Sequence, residues 1–114
     1  MKTRKELKDE YKLMKFRSGI FQIINKNENK IYLQTTFDLD KAFNSDLFQL
    51  NAGLHQNKDL QNDWIKFGSE SFDLKILDEL KSKDTATSDQ IRKDLKELLK
   101  IHKEEMTIKG QLLY

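Results

Sequence analysis

The sequence predicts a mixed α/β fold of the α+β kind: a small three-stranded antiparallel sheet flanked by helices, with an extra helix at the N-terminus. Two short runs rich in β-branched and aromatic residues, Gly19 to Ile24 and Lys30 to Thr36, enclose a cluster of turn formers, Asn25 to Asn29. That is the pattern of a β-hairpin with a five-residue connection. Phe72 to Leu77 alternates at period two and predicts a third strand with one buried face. Elsewhere apolar residues recur at helical spacing.

The first helix is expected from Thr3 to Lys15, where Leu7, Tyr11 and Met14 mark one face and Lys5, Lys8, Lys12 and Lys15 cover the others. After the hairpin, Asp38 can cap a helix carrying Leu39, Phe43, Leu47 and Leu50, and Gly53 is placed to end it in the left-handed conformation. A shorter helix follows, marked by Leu60, Trp64 and Phe67, with Asn57 or Asp59 as its cap and Gly68 at its close. Beyond the third strand, Lys81 to Thr87 is polar and small and reads as a mobile loop. Ser88 can cap the last helix, whose one side carries Ile91, Leu95, Leu98, Leu99, His102 and Met106. Gly110 to Tyr114 reads as a tail.

With 114 residues there is room for one core, divided as a basic amphipathic helix over 1–17 packed on a domain over 18–114. A chain of this size buries roughly two-thirds of its unfolded surface, enough to fold without disulfides. The lack of cysteine excludes disulfides, thiolate nucleophiles and thiolate metal sites together. No apolar run approaches the roughly twenty residues that span a bilayer, and Met1 to Lys15 has no signal-peptide core, so the expected setting is the cytoplasm with no membrane partner. Lys and Arg number 21 against 19 acidic residues, and a net charge of +2 does not by itself announce nucleic acid.

Gly19-Ile20-Phe21 and, ten residues on, Tyr32-Leu33-Gln34 resemble the paired signature triplets of the GIY-YIG nucleases. The resemblance extends through Asn25, Lys30-Ile31-Tyr32, Thr35-Thr36, Leu39 and Phe43. It continues through Gly53, His55, Asn57, Leu60-Gln61, Trp64, Lys66-Phe67-Gly68, Phe72 and Ile76-Leu77-Asp78-Glu79, covering about Ser18 to Leu80. It implies hydrolysis of a DNA phosphodiester by two signature tyrosines, an arginine early on the first core helix and a glutamate on a later helix that holds one divalent metal, Mg2+ or Mn2+. Such chemistry needs a base or positioned water, a cation beside the developing phosphorane charge and a Lewis acid.

Carried over residue by residue, only Tyr32 keeps its family identity cleanly. Phe21 stands at the first tyrosine position and has no hydroxyl; Gln34 replaces the second triplet's glycine; Ala42 falls at the arginine; Asp46 falls where many members have histidine. Glu97 fits the spacing of the metal glutamate, but a shift of two positions puts Leu99 there, and the family's C-terminal G-Y-N segment has no counterpart. Removing one electrostatic stabiliser typically costs about a hundredfold to a thousandfold in rate, and losses within one catalytic unit do not simply add.

Each candidate also has a plain reading. Phe21 and Tyr32 serve a hairpin core, Lys41 is a solvated helix lysine, Glu97 lies among Lys93, Lys96 and Lys100 in a surface ion-pair role, and His55 and His102 sit in a loop or on a helix face. The leading expectation is a divergent, catalytically impaired GIY-YIG-type domain that keeps DNA binding through Lys12, Lys15, Arg17, Lys41 and His55. One alternative is an active nuclease with a rewired site of Tyr32, Lys41 and Glu97. The other is a protein-interaction domain with no nucleic-acid role.

Overall fold

The computed structural model describes residues 17–81 and 87–114. The expected N-terminal helix, with Lys12 and Lys15, lies outside the described residues, as does most of the expected 81–87 loop. The elements run β1 (Gly19–Asn25), β2 (Lys30–Thr36), α1 (Leu39–Ala52), α2 (Lys58–Phe67), a 3-10 turn (Ser69–Ser71), β3 (Phe72–Glu79), α3 (Ser88–Ile108) and β4 (Leu112–Leu113).

The paired triplets lie side by side: β1 and β2 are antiparallel, with Phe21 opposite Gln34 and Ile23 opposite Tyr32. Asn25 closes the hairpin by accepting the Asn27 and Glu28 N–H groups on its Oδ1, the local bond that makes asparagine a turn former. β3 pairs antiparallel with the other side of β1, its register shifting between Ile20 and Phe21. The class is therefore as expected, with one addition. The last residues are not a tail: Leu112 and Leu113 pair parallel with Lys30 and Ile31, giving a four-stranded sheet in the order β3-β1-β2-β4.

Central position explains why β1 is buried on both faces, with Ile20 and Ile23 fully shielded. One face carries Phe21, Ile23 and Tyr32 into a core with Leu39, Ala42 and Leu50 of α1, Leu60 and Trp64 of α2, and Phe72. Strand alternation turns Ile20 and Leu33 the other way, the side on which Ile91 and Leu95 of α3 are buried. Gly19 is required by close approach, because a Cβ there would stand 2.2 Å from the Asp78 carbonyl oxygen.

Helix ends follow their local chemistry. Asp38 accepts the Asp40 and Lys41 N–H groups, Asn57 accepts that of Leu60, and Gly53 ends α1 at φ 75°. α3 is capped by Thr87 rather than Ser88, because Thr87 and Gln90 form a reciprocal capping box. No described helix is long and apolar enough to cross a membrane.

Candidate functional site

Where β4 stops pairing, the edge of β2 opens onto a cleft of about 320 Å³ lined by Tyr32, Leu33, Gln34, Gln56, Asn57, Leu99, Lys103 and Tyr114. β2 supplies the floor, the α1–α2 connection and the start of α2 supply Gln56 and Asn57, and α3 supplies Leu99 and Lys103.

Tyr32 is the centre of this arrangement. Its hydroxyl oxygen accepts from Gln34 Nε2 at 3.0 Å and from Gln56 Nε2 at 3.3 Å. The Gln34 amide is held in that sense because its Oε1 accepts the Thr35 N–H at 3.0 Å. With two amide donors on its lone pairs, the phenol is left to donate its own proton. Burial pushes the Tyr32 pKa above its ordinary 10.0, opposed by the two amide bonds and assisted by the charge of Asp46. Tyr32 is therefore a neutral donor near pH 7. Gln34, which takes the place of a glycine in the resembled triplet, is thereby the residue that fixes Tyr32.

Behind Tyr32 stands a buried histidine. The His55 ring meets that of Tyr32 edge-on, with centroids 5.2 Å apart at 82°. Its Nδ1 accepts the Asn57 N–H at 3.1 Å, which places the proton on Nε2, 2.9 Å from Asp46 Oδ2. Gln61 ties the loop down, accepting the His55 N–H on Oε1 and donating from Nε2 to the Leu50 carbonyl. Sequence reasoning treated Asp46 and His55 separately. Their nine-residue spacing across the end of α1 is no helical repeat, so only the folded loop brings them together. With a side chain only 1% exposed, His55 positions Tyr32 from behind and does not line the cleft.

The remaining sequence candidates lie elsewhere. Phe21 is 2% exposed and packs edge-on against Phe43, and Ala42 shares that core. Lys41 and Glu97 are exposed, and neither lines the cleft. Of the two registers open for the metal position, it is Leu99 that lines the cleft with Tyr32. Arg17 is engaged by carboxylates, its Nε 3.1 Å from Glu79 Oε1 and its Nη1 3.2 Å from Asp40 Oδ1. His102 bonds Asp78 at 2.9 Å. Tyr114, which the sequence left in a tail, donates to Asp63 Oδ2 at 2.7 Å and accepts from Asn25 Nδ2 at 2.9 Å.

A divalent metal of the kind the resemblance implies does not fit these residues. No Asp or Glu side chain lines the cleft, and among the described residues no group of three or more His, Asp or Glu side chains could hold an ion. What the cleft can do is donate and accept hydrogen bonds from neutral amides and phenols, offer aliphatic surface from Leu33 and Leu99, and place one cation, Lys103, at its edge.

No protein-family model matches the chain, and no curated protein does. Among solved structures it is similar to the catalytic domain of the homing endonuclease I-TevI, at 32% identity over 71% of this chain and 87% of that one, with a TM-score of 0.53. It is similar also to a point mutant of the catalytic domain of intron endonuclease I-TevI, at 30% identity over 73% of this chain and 84% of that one, again with a TM-score of 0.53. Identity at this level across most of the hairpin-and-helix frame, together with paired triplets on neighbouring strands, assigns the chain to the GIY-YIG nuclease family.

Proposed function

We propose that this chain is a divergent GIY-YIG domain that has lost family-type phosphodiester cleavage and retains DNA binding. One observation carries the reading. The cleft around Tyr32, the signature tyrosine that remains, is lined by amides, two phenols, leucines and one lysine where family-type hydrolysis would need a second signature tyrosine, a guanidinium and a metal carboxylate. Phe21 and Ala42 reinforce it, since both are packed in the core and neither can reach a phosphate. Lys103 at the cleft and Lys30, whose ammonium lies 4.5 Å above the Tyr114 ring, supply positive charge near the same edge of the sheet.

The test is direct. Supercoiled plasmid and branched DNA are incubated with the protein and Mg2+ or Mn2+, and the expected outcome is binding that weakens steeply with salt, through counterion release, and no nicking. Robust nicking abolished by Tyr32→Phe would overturn the loss of activity. A protein-interaction role takes its support from the exposed Phe48, Leu54 and Ile65, and absence of any salt-sensitive DNA binding would favour it.

A further inference from the structure

We infer that the Tyr32 cleft holds one unpaired nucleobase of a nucleic-acid strand, an inference that rests on the DNA-binding reading above and names what the cleft recognises. Among the lining side chains only Lys103 is charged. A scissile phosphate and its metal call for opposed charges, whereas a base edge calls for uncharged donors and acceptors beside an apolar face.

The hydrogen-bond network leaves such a set. Gln34 is consumed between Thr35 and Tyr32 and acts as a brace. Tyr32, accepting from two amides, has its O–H left to give. Gln56 spends Nε2 on Tyr32, which leaves its carbonyl oxygen to accept. Asn57 spends Oδ1 on the Leu60 N–H, which leaves its Nδ2 to donate. The cleft thus presents donor, acceptor and donor from three side chains held by other bonds, the kind of pattern that reads the Watson–Crick edge of an unpaired base.

Leu33 and Leu99 add aliphatic surface against which a planar ring can lie. A volume of about 320 Å³ is at the small end of ligand pockets, and Gln56 and Lys103 of the lining are exposed to solvent. A flipped or single-stranded base can enter there while its phosphate stays outside beside the ammonium. In duplex DNA the same base edges are already paired, so the cleft favours unpaired strands.

Fluorescence anisotropy with the full chain in EDTA tests this, using three probes of one length: a labelled single-stranded DNA, its duplex, and a single strand abasic throughout. The base-bearing single strand should bind about tenfold more tightly than the abasic strand, the effect of seating one base, and more tightly than the duplex. Gln56→Ala and Tyr32→Phe should each shrink the gap between the two single strands. Equal affinity for base-bearing and abasic strands, or preference for the duplex, overturns the nucleobase site and leaves DNA binding standing. Failure of all three probes to bind overturns both. The abasic comparison uses the unaltered protein, so it holds even where a variant folds poorly.

Discussion

Replacing Gly19 with alanine tests whether the first signature triplet is kept for packing. The added Cβ would stand 2.2 Å from the Asp78 carbonyl oxygen, 2.9 Å from Glu79 Cα and 3.0 Å from Leu39 Cδ1. Two of these are backbone atoms of the partner strand and the third belongs to a fully buried leucine, so none can swing aside. Relief requires β1 and β3 to part by roughly an ångström beside the Leu80 N–H to Ser18 carbonyl bond, which is 2.7 Å long. Overpacking of this kind costs about 1–3 kcal/mol, and weakening one ladder bond adds about 1 kcal/mol. The expected loss is about 2–4 kcal/mol, a large part of the roughly 5–15 kcal/mol that stabilises a small domain. Urea unfolding followed by the fluorescence of Trp64, the sole tryptophan, reads it as a midpoint lowered by about 1–2 M at unchanged slope. A loss below about 0.5 kcal/mol would refute the argument and return Gly19 to the list of chemically selected residues.

Substituting His55 with phenylalanine keeps a ring against Tyr32 but strips Asp46 and the Asn57 N–H of their partner, and should cost about 2–4 kcal/mol in the same assay. Thr87→Ala removes one arm of the α3 capping box and should cost about 1 kcal/mol, read as a lowered melting temperature. Tyr32 and Tyr114 both have raised pKa values, Tyr32 chiefly by burial and Tyr114 by burial together with its bond to Asp63. Above the unfolded pKa of about 10 the unfolded phenols lose protons that the folded ones retain, so their contribution is fully present below pH 10 and is lost as pH rises toward the folded values. Urea midpoints should fall above pH 10, and Tyr114→Phe should make that fall shallower.

Much of the frame was legible because local chemistry determines it. Asp38, Gly53 and Asn57 each act through neighbours within a few residues, and the Asn25 turn is as local. β4 was not legible, since two leucines show no periodicity and owe their strand conformation to pairing with residues about eighty positions earlier. The Asp46–His55 contact was hidden for a similar reason: it depends on how Gln61 folds the intervening loop. Gln34 was visible as a departure from the resembled pattern, a glutamine where the triplet has glycine. That it clamps the Tyr32 hydroxyl follows from strand alternation, which puts residues two apart on the same face of β2. The two registers for α3 could not be separated by spacing, because the helix presents Glu97 and Leu99 to different sides and only the cleft distinguishes them.

The parallel pairing of β4 with β2 also bears on how copies of this protein meet one another. A sheet grows by offering free backbone groups along its margins. Here one margin ends in a strand of two residues, and the other, β3, bears Asp73, Lys75, Asp78 and Glu79, with Lys26 drawn to Asp73 and His102 to Asp78. A neighbour docking against β3 would have to pair or desolvate these charges, and one docking against β4 would find a strand of only two residues. The frame is thereby biased against fibrous stacking at high concentration.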